Sequence, residues 1–136
     1  MKIESVRQFI IEFTGWVKDQ KEILAVLLVG SYARNTARQD SDIDLVIITD
    51  QPEVYLDSDK WIKNFGEVRE IIKEDYKMVQ VRRVFYDNGL EIEYGITIKE
   101  WAKVDPIDPG TKRVIKGGAR VLFDRDEILK LIMNKL

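Results

Sequence analysis

Gly30-Ser31-Tyr32-Ala33-Arg34-Asn35-Thr36-Ala37-Arg38-Gln39-Asp40-Ser41-Asp42-Ile43-Asp44-Leu45 is the stretch whose reading decides the fold. An apolar run, Ile23 to Val29, leads into it, and another, Leu45 to Ile48, leads out. Both runs are short and bounded by turn residues, as buried strands are. A Gly-Ser pair closes the first strand, and ten residues separate Ser31 from Asp42. Side chains alternate faces along a strand, so Asp42 and Asp44 point the same way. Two carboxylates on one face attract protons or cations. Beside a Gly-Ser turn that can hold phosphates, divalent metal and a nucleoside triphosphate are the more natural use. The missing side chain of Gly30 lets phosphate approach the backbone, and a helix starting at Ser31 offers free N–H groups and a hydroxyl. Acids that merely solubilise a strand end would not need the Gly-Ser at this distance or the buried strand behind them.

Outward from this stretch, residues 3–18 place Ile3, Val6, Phe9, Ile10, Phe13 and Val17 at three- and four-residue spacings, which predicts an amphipathic helix. Ser31 is expected to cap a short helix over 31–37. Residues 50–57, with Pro52 and several acids, read as a loop. Residues 58–65 read as a helix capped by Ser58 or Asp57, with Trp61, Ile62 and Phe65 inward and Gly66 as its end. Residues 67–72 are strand-like but ambiguous. Residues 77–86 and 90–98 are strands joined at Asp87-Asn88-Gly89, a strong hairpin signal. In the second arm Leu90, Ile92, Tyr94 and Ile96 share one face, and Glu91, Glu93, Gly95 and Thr97 the other. Pro106 and Pro109 bracket a loop. One or two helical turns over 110–116, a strand at 119–123 and a helix from Asp126 to Leu136, with Ile128, Leu131 and Ile132 inward, complete the chain. The expected fold is a single α+β domain: a mixed sheet with helices packed on it.

Composition narrows the chemistry. The 136 residues fit one domain with a real core, at 45% hydrophobic and 34% charged. A net charge of −2 argues against nucleic acid or an anionic membrane as partner. The chain has no cysteine and no histidine. Disulfides, zinc fingers and thiol catalysis are excluded. Acid–base work falls to Asp, Glu, Lys or Tyr, and a metal must be held by oxygen, which favours Mg²⁺, Mn²⁺ or Ca²⁺. Met1-Lys2-Ile3-Glu4-Ser5 does not read as a signal peptide, and no apolar run approaches the ~20 residues of a membrane span, so the cytoplasm is the expected compartment.

Transfer of a nucleotidyl group needs an activated oxygen and a neutralised pyrophosphate, and two Mg²⁺ ions bridged by shared carboxylates supply both. Asp42 and Asp44 suit that bridge. A third acid is expected on a neighbouring strand. Glu91 and Glu93 qualify, with Glu93 preferred because it lies deeper in its strand between Ile92 and Tyr94. The competing reading leaves both on a solvated hairpin face.

The spacing Gly-Ser, ten residues, Asp-x-Asp resembles the nucleotidyltransferase superfamily that includes DNA polymerase beta, and within it the minimal nucleotidyltransferases and aminoglycoside adenylyltransferases. The resemblance is most specific over residues 29–48, continues through 84–97, and agrees with the order of elements over most of the chain. It implies a polymerase beta-like palm. It also implies that Gly30 and Ser31 contact the β and γ phosphates, that Asp42 and Asp44 bind metal, and that Glu93 completes the metal site or takes the acceptor's proton. Asn35 stands where the family usually has Gly, and Asn tolerates the left-handed conformation better than most residues. The activity implied is Mg²⁺-dependent transfer of a nucleoside monophosphate, AMP from ATP or another NTP, to a hydroxyl of a small molecule or protein. Two other readings are an antitoxin-like partner of a helical HEPN-domain toxin and a non-catalytic nucleotide-binding module. The acceptor site of so small a palm is expected to be walled by a second copy or a helical partner, with the tryptophans and the last helix as contact material. Arg34 and Arg38 read as a solvated face. Tyr32 reads either as packing or as a base-stacking ring.

Overall fold

The computed structural model describes residues 2–136. Met1 and the side chains of Lys2 and Ile3 fall outside what is described, so the expected placement of Ile3 on the apolar face lies outside the described residues. The elements are α1 (Lys2–Lys18), β1 (Ile23–Val29), β2 (Ile43–Thr49), α2 (Glu53–Leu56), a 3-10 helix (Lys60–Phe65), β3 (Val68–Asp75), β4 (Gln80–Tyr86), β5 (Glu91–Thr97), a second 3-10 helix (Lys99–Ala102), α3 (Pro109–Lys116), β6 (Ala119–Asp124) and α4 (Lys130–Lys135). The six strands form one sheet in the order β3-β4-β5-β2-β1-β6. Only β2 and β5 pair in parallel; every other neighbour is antiparallel. The expected mixed sheet is present.

Alternation divides the apolar residues between two layers. On one face Ile43, Leu45 and Ile47 of β2 and Ile92, Tyr94 and Ile96 of β5 meet Val6, Phe9, Phe13 and Val17 of α1. Trp61 and Phe65 join this layer, with Trp61 set edge-on to Tyr94 at 4.7 Å between ring centroids. On the other face Val46 and Ile48 pack with Trp101, Ile115, Leu129 and Ile132. Both faces of β2 are therefore covered, as its unbroken apolar run requires. The covering stops short at one end of β2, and there the polar members of the second face, Asp44 and Glu93, begin.

Several expectations need correction. The helix expected over 31–37 is a single closed turn. Ala33 and Arg34 donate to the Gly30 carbonyl, and Thr36 donates to that of Ser31. Asn35 at φ 60 takes the left-handed position that ends such a turn, the role its tolerance allowed. Residues 53–56 of the expected loop form α2. The predicted helix over 58–65 is the 3-10 helix Lys60–Phe65. Trp61, Ile62 and Phe65 are buried as expected, and Gly66 caps it. The last helix is shorter than expected and turned differently. Asp124 accepts from the Ile128 and Leu129 amides, the helix proper begins at Lys130, and Leu131 is 57% exposed while Leu129 is buried. The ambiguous segment 67–72 is the edge strand β3, largely solvent-facing along its length.

Candidate active site

β2 and β5 run side by side, with Asp44 opposite Glu93. Asp42, just before β2, has the same parity as Asp44. The three carboxylates converge, with one oxygen from each lying within 4.8 Å of the others, an arrangement found among the described residues at this place. Glu91, two residues earlier on β5, stays outside this group and instead accepts from Arg83 Nη1 at 2.8 Å. Of the two glutamates, Glu93 is the one brought together with the aspartates.

Asp44 is half-buried. Its Oδ1 is buried and has no hydrogen-bond partner among the described residues. Its pKa is pushed up to about 9, first by burial and then by Glu93 and Asp42, which repel its charge and hydrogen-bond its protonated form. A buried carboxylate oxygen without a donor is costly unless a cation serves it. The donor set, three carboxylates and nothing softer, fits a hard divalent ion. The residues present therefore fit the metal that this chemistry calls for.

Gly30 makes the room. It sits at φ 78, and a Cβ there would lie 2.5 Å from Asp44 Oδ2. The glycine is thus needed twice, for its conformation and for the approach of the acid. The turn that follows spends the amides of Ala33, Arg34 and Thr36 and leaves those of Ser31 and Tyr32 out of its bonds. Distant residues clasp the turn. Arg34 Nη1 donates to the Gly117 carbonyl at 3.0 Å, and Arg120 donates to the Ala33 carbonyl and to Asn35 Oδ1. Arg34 is accordingly tied to the α3–β6 junction rather than simply solvated. Tyr32 packs against the α1 layer, and its hydroxyl pKa is raised by burial and then by the charge of Asp42.

A cavity of about 470 Å³ opens from the acids, with Asp44 and Glu93 on its wall and Tyr76, Met78, Trp101 and Arg113 around it. Arg83 is the site residue that sequence reasoning passed over. It lies across from Glu93 on β4 and touches four acids: Asp42 at 3.8 Å, Glu74 at 3.2 Å, Glu91 and, closest of all, Glu93. The signal was available. Counting outward from the Asp87-Asn88-Gly89 turn sets Arg83 opposite Glu93, and alternation turns Arg82 to the other face, where it is buried.

No curated protein matches the chain by sequence. Among solved structures, an aminoglycoside 6-adenyltransferase from Bacillus subtilis superposes over 70% of this chain with a TM-score of 0.55 at 14% identity. The chain covers only 35% of that enzyme's length, so the likeness concerns the fold. A toxin-antitoxin complex with AMP-PNP covers 99% of this chain and 83% of its own at a TM-score of 0.40 and 10% identity, too low to add to the argument. A family model is more decisive, because it spans residues 10–108 and so takes in the Gly-Ser turn and all three acids. The chain belongs to the nucleotidyltransferase domain family.

Proposed function

We propose that this domain transfers a nucleoside monophosphate, AMP from ATP in the first instance, to a hydroxyl of a small molecule or protein, with Mg²⁺ as cofactor. The observation that carries the reading is the convergence of Asp42, Asp44 and Glu93, one oxygen from each within 4.8 Å of the others, with Asp44 Oδ2 in the room Gly30 leaves and Asp44 Oδ1 buried without a donor. Asp42, Asp44 and Glu93 would hold the metal, in one or two ions. When bound, it neutralises the pyrophosphate leaving group and raises the acidity of the attacking hydroxyl.

The remaining roles belong to the chain. Gly30 and Ser31 receive the β and γ phosphates through backbone amides and the Ser31 hydroxyl. The cavity beyond Glu93 receives the acceptor. The acceptor oxygen bonds to the α-phosphorus as the bond from that phosphorus to the bridging oxygen of the β-phosphate breaks, and pyrophosphate departs. Glu93, on the cavity side of the cluster, takes the hydroxyl proton. Asp44, held between strands and screened from water, fixes the position of its partners before substrate arrives.

The test is incubation with each labelled NTP and Mg²⁺ in the presence of host lysate, followed by identification of the labelled product. Asp42→Asn and Asp44→Asn should each abolish label transfer, because each removes a charge from the shared cluster. Near wild-type turnover in either variant would sink the assignment.

A further inference from the structure

We infer that Arg83 is a resident counter-cation of the acid cluster, neutralising Glu93 and Asp42 until a divalent ion takes their oxygens and then resting on Glu74 and Glu91. The inference builds on the metal reading above and assigns a positioning role to a residue that neither the family motif nor the cavity calls for.

The geometry is particular. Arg83 lies on β4 between two antiparallel neighbours. Its register partner on β3 is Ile72, and it has acids within reach on both sides, Glu74 on β3 and Glu91 and Glu93 on β5. Its two terminal nitrogens divide the work. Nη1 faces Glu91 and Asp42, and Nη2 faces Glu74 and Glu93. Each nitrogen thus contacts one acid of the triad and one acid outside it. The planar fork of arginine can release the triad member and keep the outer one, with little movement of the stem. Lysine, a point charge, would neutralise the cluster but could not divide itself this way. The Arg83 side chain is only 26% exposed, so it is held against the sheet rather than sampling solvent.

The electrostatics require something of this kind. Without a cation, the acids Asp42, Glu74, Glu91 and Glu93 crowd one face of the sheet around a single positive group. Burial works against the charge on Arg83, but the Glu91 hydrogen bond and then the charges of Glu93 and Glu74 outweigh it and hold its pKa up. A divalent ion replaces that single charge with a larger one at the same oxygens, so the arginine and the ion compete.

The test uses the full chain, Mn²⁺ alone as probe, and two readouts that need no turnover: Mn²⁺ titration by electron paramagnetic resonance, and melting temperature in EDTA and in saturating Mn²⁺. Arg83→Gln should bind Mn²⁺ on the order of tenfold more tightly, since a competing charge is gone. It should melt roughly 3–5 °C lower in EDTA, with most of that deficit erased by Mn²⁺. Arg83→Lys should return both values towards wild type. Folding of Arg83→Gln only with Mn²⁺ present would be the extreme form of the expected result. A purely structural arginine predicts otherwise: equal loss of melting temperature with and without Mn²⁺, no gain in affinity, and no rescue by lysine. That outcome, or failure to fold in both conditions, overturns the inference while leaving the metal reading intact. Wild-type protein that takes up no Mn²⁺ overturns both.

Discussion

Burial disfavours a charge on Asp44, and the proposed metal role requires one. In the metal-free protein its folded pKa stands near 9, far above the ordinary aspartate value near 4. Between those values the folded chain holds a proton that the unfolded chain has lost. Stability must therefore fall as pH rises across that window. In EDTA, wild-type melting temperature should decline from pH 5 to pH 8.5 relative to Asp44→Asn, which keeps the shape and removes the titration. At pH 8 the variant should melt higher, by roughly 5 °C or more. Parallel pH profiles for the two proteins would show that burial of Asp44 is not felt. The same residue that costs stability without metal is then the one whose replacement ends transfer with it. At Glu93 the expectation is kinetic. Glu93→Gln should lower turnover roughly 10²-fold or more, as loss of a placed general base does. Glu91→Gln should cost less, because Glu91 meets Arg83 and stays out of the triad. A reversed order in single-turnover assays would move the role to Glu91.

At the scale of the element, the turn after β1 is a small machine for bringing a backbone close to an acid. Gly30→Ala would place a methyl against Asp44 Oδ2 and hold an L-residue in the left-handed region, which alone costs roughly 1 kcal/mol. The variant should lose nucleotide binding and Mn²⁺ binding together, measured by titration, because the displaced carboxylate belongs to both. Unchanged Mn²⁺ affinity would mean that Asp44 is not pinned by this contact. The elements that could be read from sequence are those whose pattern has one physical cause. β1 and β2 carry unbroken apolar runs, Ile23 to Val29 and Leu45 to Ile48, because both faces are covered there, and β5 alternates because one face carries the acids. The turn at 31–36 could not be told from a short helix, since both begin with the same hydrogen bonds. What ends it, Asn35 held by Arg120, comes from 85 residues away. β3 was ambiguous because an edge strand shows charge on both faces and no clean period. Leu131 was assigned inward because the helix start was set too early, and the Asp124 side chain that fixes the true start lies in the strand before it. In the site, parity set Asp42 beside Asp44 and Glu91 with Glu93 on one face, and it was depth in the strand, between Ile92 and Tyr94, that favoured Glu93, the glutamate that meets the aspartates. Arg83 needed the hairpin register as well, and two adjacent arginines look alike until one face is known.

Over the whole molecule, Asp44 and Glu93 sit on the two central strands of the sheet, with Asp42 just before one of them. β2 and β5 lie in the middle of the sheet, flanked on both edges, and β2 is packed on both faces, whereas β3 and β6 carry the sheet's open edges. Trp61 and Trp101, with Leu129 and Ile132, are spent inside these layers and are not free as contact material for a second chain. Among the described residues no helix is long and apolar enough to cross a membrane. A site that works by holding three carboxylates at fixed separation gains from this placement, because local opening is rarest where burial and strand pairing are most complete. Hydrogen exchange followed by mass spectrometry should rank the strands accordingly. Amides of residues 45–48 and 92–97 should exchange last, and those of 68–75 first, with rates differing on the order of 10²-fold or more. Adding Mn²⁺ should slow exchange around residues 42–45 and 91–94 further, since a cation shared by β2 and β5 ties the ends of those strands together, while β6 should change little. Exchange at β2 as fast as at β3 would mean that the acids ride on a mobile platform. Their spacing would then have to be set by the metal rather than presented to it by the sheet.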